Sequence, residues 1–232
     1  MAVTYIFPDI HGCAKTFRHL LEDIVSPTLK DKLVFLGDYI DRGPNSAEVI
    51  NMILSLISSG YQVTALRGNH EQMLLDSIAD ANAFTIWKLN SARKTLKSYG
   101  LDFEDVAHDQ LISLIPKDHL HFLQNMPILH QLGSSLWSVH GCIQFPIREE
   151  FLQHYLWLRP WECVDSIPEG VTVIHGHTPI PLEEVENQIA LWGRLINLDA
   201  GCVYAEMREG LGNLVCLRLE DRHLFYTPNI DL

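Results

Sequence analysis

Short apolar runs alternate with helix-periodic stretches along the first part of the chain. Val3 to Phe7 reads as a strand, "AKTFRHLLEDIV" as an amphipathic helix, Leu33 to Leu36 as a strand, "SAEVINMILSLIS" as a second helix and Val63 to Leu66 as a third strand. This βαβαβ order is the signature of an α/β sheet. From Gln72 to about Asn125 the spacing turns mostly helical, which predicts an inserted helical cap over about 72–126. Beyond it lie short apolar runs at Ile128 to Leu132, Leu136 to Val139, Val171 to Ile174, Ile189 to Trp192, Leu195 to Leu198 and Leu214 to Leu219, with few helices between. These predict a second sheet packed on the first, with helices outside, in one domain over 1–232.

Polar residues collect where the strands stop. "IFPDIHG" ends the first strand with Asp9 and His11, and "VFLGDYIDRG" ends the second with Asp38, Asp41 and Arg42. "LRGNHE" supplies Asn69 and His70, "WSVHG" His140, and "VIHGHTP" His175 and His177. A lone His or Asp in a loop is ordinarily structural. Five successive strand ends delivering oxygen and imidazole to one edge point instead to a metal centre, at the place where open α/β sheets put their ligands. Mixed carboxylate and imidazole donors suit manganese, iron, zinc and similar divalent ions, and the lack of thiolates disfavours a structural zinc site. Asp38 has two oxygens and could bridge a pair of ions ~3.5–4 Å apart. With Asn69 on the metal, its neighbour His70 is placed to protonate a leaving group.

Composition narrows the partners. The 232 residues are 47% hydrophobic and 20% charged, which suits one sizeable core. A net charge of −12 argues against a nonspecific grip on nucleic acid, so any phosphate must be bound locally. No apolar stretch approaches the ~20 residues of a membrane helix, and "MAVTYIFPDIHG" lacks a basic n-region and cleavage site. The expectation is a cytoplasmic protein. The five cysteines, Cys13, Cys142, Cys163, Cys202 and Cys216, contain no C-x-x-C pair, and an odd count fits a reducing compartment and buried thiols better than a disulfide framework.

"DIHG", "GDYIDRG", "LRGNHE", "VHG" and "GHTP", in that order, resemble the metallophosphoesterase signature, and specifically the short bacterial and phage members of the serine/threonine phosphoprotein phosphatase family. The resemblance implies a four-layer αββα sandwich with a dinuclear centre. It implies one metal on Asp9, His11 and Asp38, and the other on Asp38, Asn69, His140 and His177. His70 matches the proton donor, Asp41 the acid that hydrogen-bonds it, Arg42 a phosphate-binding arginine, and Arg159 in "LWLRPW" a second one. The implied cofactor is a pair of divalent ions, manganese first, with iron, zinc, nickel or cobalt as alternatives. The implied activity is phosphomonoester hydrolysis by a metal-activated hydroxide, on phosphorylated protein or a small phosphoester. A diadenosine-tetraphosphate-type hydrolase shares the scaffold. Its bacterial members resemble G-N-H-D in the third motif with an altered second motif, whereas this chain has "GNHE" and an intact "DRG".

Some positions depart from the pattern or carry bland readings. Pro8 stands where the family usually has glycine, and "VHGC" replaces the commoner H-A-G. His175 reads as strand-end structure or a residue behind the ligands, and Asp199 as a turn residue or a partner of a metal-bound histidine. Trp137, Trp157, Trp161 and Trp192 read as core or loop anchors, "LEEVE" at 182–186 as a solvent-facing acidic run, and Glu71 as the start of a helix.

Overall fold

The computed structural model describes residues 2–232. A five-stranded sheet has the order β3-β2-β1-β8-β9 and a four-stranded sheet the order β4-β5-β6-β7. The strands are β1 (Thr4–Phe7), β2 (Lys32–Phe35), β3 (Gln62–Ala65), β4 (Leu129–Gly133), β5 (Leu136–Val139), β6 (Thr172–His175), β7 (Leu195–Asn197), β8 (Asn213–Arg218) and β9 (His223–Pro228). β1, β2 and β3 are parallel, with Ile6 opposite Val34 and Val34 opposite Thr64, so their carboxyl ends lie along one edge. β5, β6 and β7 are also parallel, with β4 antiparallel to β5.

The helices are α1 (Ala14–Arg18, continuing as π-helix over His19–Val25), α2 (Ser46–Ser58), α3 (Asn69–Ala79), α4 (Ala81–Asn90), α5 (Ala92–Ser98), α6 (Leu111–Leu114), α7 (Lys117–Gln124), α8 (Leu152–Tyr155), α9 (Pro160–Cys163) and α10 (Leu182–Leu191). Alternation along the strands explains the layering. Ile6, Val34 and Leu217 enter a core shared with Ile174 and Ile196 of the second sheet, while Tyr5, Phe7, Leu33 and Phe35 face a second core with α1 to α5. Two sheets flanked by helices result, as the sequence predicts.

Three expectations are corrected. Ile189 to Trp192 is not a strand. Val185 and Ile189, four residues apart, bury one face of α10, and Trp192 ends that helix in left-handed conformation at φ 49°. The "LEEVE" run is the beginning of that helix, with Glu183 and Glu184 in its first turn. β9 was not foreseen, because it is an edge strand of mixed polarity that pairs with β8 as a hairpin. The thiol expectation also fails in part, since Cys142 and Cys163, 21 positions apart, form a disulfide. Their meeting depends on tertiary structure: Cys142 N–H donates to Tyr155 O at 3.0 Å, folding the segment that carries α8 and α9 back across the end of β5. Cys13, Cys202 and Cys216 are free and buried. Among the described residues no helix is long and apolar enough to cross a membrane.

Candidate metal centre

The loops after β1 and β2 are tied together by backbone. Ile10 and His11 N–H both donate to Asp38 O, at 3.1 and 2.8 Å, and Gly12 N–H donates to Tyr39 O at 2.8 Å. These bonds hold His11, Asp38, Asp41 and Arg42 at φ values of 46°, 54°, 69° and 65°, and across the site His177 sits at 70°. Left-handed backbone costs a non-glycine residue ~1–3 kcal/mol and persists where its surroundings over-determine it. Five such residues in one cleft mark the place where folding energy is spent on geometry.

Glu71 over-determines the second loop. Its carboxylate is fully buried and accepts N–H bonds from Asp38 at 2.9 Å, Tyr39 at 2.8 Å, Ile40 at 3.2 Å and Gly68 at 2.9 Å. It does start α3, as the sequence suggests, closing a capping box with the Gly68 backbone, but it also splints the Asp38 loop. Burial and the nearby Asp38 carboxylate raise its pKa to about 7. Gly68 is required here, since a Cβ would collide with the Asp38 carboxylate.

Asp38 faces two clusters at once. Its Oδ2 is 3.4 Å from His11 Nε2 and 4.0 Å from His70 Nε2, and its Oδ1 is 3.3 Å from His140 Nε2. One potential metal-holding group is His11, Asp38 and His70, and the other Asp38, His140 and His177. His11 Nδ1 donates to Ile40 O at 2.8 Å and His140 Nδ1 to Leu36 O at 3.1 Å, so both histidines turn Nε2 inward. Asn69 Oδ1 lies 2.8 Å from His140 Nε2 and 3.0 Å from His177 Nδ1. Oxygen and nitrogen atoms of four side chains, Asp38, Asn69, His140 and His177, thus converge on one point, an arrangement that a cation satisfies. Burial opposes a charge on His140, but the carboxylates of Asp38 and Asp9 override it and lift its pKa to about 9. Burial likewise opposes ionisation of Asp38, and His140 and His70 beside it hold its carboxyl well below the ordinary range. The donor set fits a pair of divalent ions sharing Asp38.

Asp9 is buried but stands apart from both groups. Its two oxygens accept the His177 N–H at 3.1 Å each, and Gly176 is the residue that allows this approach, because a Cβ there would strike the Asp9 carboxylate. His70 and Asp41 form a buried dyad, with His70 Nδ1 donating to Asp41 Oδ2 at 2.6 Å. Asp41 is held from α4 by Trp87 Nε1 at 2.9 Å and from α5 by Thr95 Oγ1 at 2.5 Å. Arg42 donates to His11 Nε2 at 2.7 Å and lies 5.3 Å over the ring of Tyr204. Arg159 is exposed at the rim, 5.6 Å over the Trp161 ring, and its charge adds to the burial and the His140 charge that lower the His177 pKa to about 3.

The remaining candidates are supporting residues. His175 is buried, its Nδ1 donates to Gly176 O at 2.9 Å, and burial takes its pKa down to about 4. Asp199 Oδ1 accepts Gly201 N–H at 2.9 Å, which is a turn role. Trp157 and Trp161 are 45% and 68% exposed, so neither is a core anchor. Sequence reasoning missed the splint role of Glu71 and the parts played by Trp87, Thr95 and Tyr204. The only local signal was the E three positions after G in "GNHE".

Comparison with known proteins agrees with this geometry. The model of the calcineurin-like phosphoesterases matches residues 3–210. The chain belongs to that family. Its family depends on a dinuclear metal centre, and the chain spans between 23% and 37% of the length of the first curated relatives it matches. Serine/threonine-protein phosphatase 1 of Salmonella typhimurium is 40% identical over 86 residues, a match that spans 37% of this chain and 37% of that protein's length. The symmetrical bis(5'-nucleosyl)-tetraphosphatase of a Marinomonas species is 24% identical over 97% of this chain and 96% of its own. A crystal structure of a candidate diadenosine tetraphosphatase superposes with a TM-score of 0.64 at 20% identity, covering 100% of this chain and 95% of the other, which shows the shared fold.

Proposed function

We propose that the chain is a metal-dependent phosphomonoesterase of the serine/threonine phosphatase kind, acting on phosphorylated protein or a small phosphoester. The observation that carries this is the double-faced Asp38 beside the intact His70–Asp41 dyad and Arg42. Asp9, His11 and Asp38 would hold one divalent ion, and Asp38, Asn69, His140 and His177 the other. Bound there, the ions supply Lewis acidity to the phosphoryl oxygens and a more acidic water.

The chain's own residues supply the rest. Arg42, braced over Tyr204, clamps phosphoryl oxygens by charge-assisted hydrogen bonds, and Arg159 adds a second charge from the rim. Asp41 fixes the His70 ring through Nδ1, which leaves Nε2 to give its proton to the leaving oxygen as the phosphorus–oxygen bond breaks. The helices over about 72–126 serve as a cap that sets this dyad, because they contribute Trp87 and Thr95 to Asp41.

A second reading, hydrolysis of dinucleoside tetraphosphates, is favoured by the match across 97% of the chain to the Marinomonas tetraphosphatase. The first is favoured by the "GNHE" and intact "DRG" of this chain, where the tetraphosphatase type resembles G-N-H-D with an altered second motif. The test is phosphate release from a phosphoserine peptide, p-nitrophenyl phosphate and diadenosine tetraphosphate, with manganese, iron, zinc, nickel and cobalt added singly. Metal-dependent release from the monoesters is expected. Cleavage of the tetraphosphate with both monoesters untouched would decide for the second reading.

A further inference from the structure

A cavity of ≈ 500 Å³ opens directly beside the dyad, with Arg42, Asn69 and His70 at its catalytic end. Its walls come from Met73 and Asp76 of α3, Ala83 and Ile86 of α4, and Trp157 from the loop between α8 and α9. Ile86 is 55% and Trp157 45% exposed, so the cleft offers apolar surface that the chain itself does not cover. Asn69, Met73 and Asp76 lie at i, i+4 and i+7, one face of α3, which leads from the metal centre outward.

The charges in this cleft are sparse. Arg42 is the one cationic side chain in its lining and Asp76 the one anionic side chain. Asp76 is exposed, and one of its oxygens, Oδ1, is taken by Gln72 Nε2 at 2.7 Å. Gln72 Oε1 in turn accepts from Arg67 Nη1 at 2.9 Å, and Arg67 points away to the carbonyls of Leu123 and Gln124. That chain orients the Asp76 carboxylate and leaves its Oδ2 for a ligand. A leaving group with further phosphates would enter a cleft with no second cation in its lining, against an acidic group, on a protein of net charge −12. A leaving group with an aliphatic stem and a positive tip would lie along Met73, Ile86 and Trp157 and end on Asp76.

We propose that this cleft is the leaving-group subsite for a phosphorylated peptide and that Asp76 selects a lysine or arginine flanking the phosphorylated residue. The proposal rests on the phosphomonoesterase reading and adds its substrate class. Seven helical residues at 1.5 Å put Asp76 about 10 Å beyond Asn69. An extended peptide covers about that distance in three residues. The selected base therefore stands about three positions from the phosphorylated residue.

The experiment measures kcat/KM for phosphoserine peptides that carry Lys, Ala or Glu at each position up to four residues either side. It uses the wild-type chain, Asp76→Asn and Asp76→Lys, with p-nitrophenyl phosphate turnover by the wild type run in parallel. The wild type should favour Lys over Glu at one position about three residues away by at least about threefold, the scale of a single partly exposed ion pair. Asp76→Asn should flatten that ratio and Asp76→Lys should invert it. A flat ratio in the wild type, or an unchanged ratio in both variants, overturns the proposal while p-nitrophenyl phosphate turnover keeps the phosphomonoesterase reading standing. No turnover of any monoester under any metal sinks that reading and this one together.

Discussion

Asp38 lies buried at the centre of the site and Arg159 exposed outside it, and their supports differ in kind. The Asp38 loop is buried, strained into left-handed backbone and fastened by the carboxylate of Glu71 through three N–H bonds, with a fourth to Gly68. Arg159 is exposed, precedes the four-residue helix α9, and belongs to a segment anchored by the Cys142–Cys163 disulfide, the backbone bond from Cys142 to Tyr155 and a few part-buried or exposed side-chain bonds such as Tyr155 OH to Gln144 O, while no hydrogen bond among the described residues fixes its own guanidinium. Polar splinting fixes direction atom by atom. A covalent staple limits distance and leaves side chains free to turn. The first suits metal ligands, whose lone pairs must converge, and the second suits a charge that meets substrate after it arrives.

The largest effect is expected where the first kind of support is most used. Asp38→Asn removes the oxygen charge shared by both proposed ions and should take phosphate release to background, with fewer than two ions per chain by elemental analysis. Asp9→Asn should cost less, because Asp9 touches one ion in the proposed arrangement and also binds the His177 backbone. Two retained ions in Asp38→Asn protein would end the bridging assignment.

His70 comes next. General acid catalysis is worth roughly 10²–10⁴-fold, and its worth scales with the basicity of the leaving group. His70→Asn should slow phosphoserine hydrolysis far more than p-nitrophenyl phosphate hydrolysis, because nitrophenolate leaves unaided. His70 Nε2 is also 4.0 Å from Asp38 Oδ2, close enough for a ligand role. Equal losses on both substrates together with lost metal would assign it there instead.

The gathering of these polar side chains was legible because it is punctuated: apolar runs stop at Gly, Asp, His and Asn, and five such stops predict five strand ends on one edge. The supports were not legible, for physical reasons. Glu71 sits one residue past His70, where a carboxylate has an adequate local explanation as a helix-start charge, and its bonds to residues 38–40 exist only once β2 and β3 lie parallel. Trp87 and Thr95 reach Asp41 across separations of 46 and 54 residues, which no spacing reveals. The disulfide failed for the same reason. α10 was misread at its end because "IALW" is apolar enough for a strand, while its helical register is visible only from Val185 to Ile189.

The two supports can be compared in stability as well as in rate. Glu71→Ala leaves four N–H groups without their acceptor, and each unsatisfied buried donor costs ~1–3 kcal/mol, so a loss of at least ~3 kcal/mol is expected together with impaired metal binding. Cys163→Ser opens a 21-residue span, worth about 3 kcal/mol by chain entropy, and should leave the Asp38 loop able to hold metal. Denaturant unfolding and metal content, measured on both variants, check the pairing. Equal metal loss in the two would mean that the staple also positions His140, two residues before Cys142.

The smallest effect should separate the two arginines. Arg42 is half-buried, stacked on Tyr204 and bonded to His11, so its guanidinium is already aimed into the site. Arg159 is exposed, and a charge at such a position is worth ~0–1 kcal/mol after screening. Arg42→Ala should therefore lower kcat/KM and weaken inhibition by inorganic phosphate, because a charge-assisted contact is lost. Arg159→Ala should change kcat/KM by no more than about fivefold, and raising the salt concentration should shrink that difference further. If Arg159→Ala instead matches Arg42→Ala in lost phosphate inhibition, the rim segment closes onto bound phosphate. The staple would then hold a clamp, and Cys163→Ser should weaken phosphate inhibition as much as removing the arginine does.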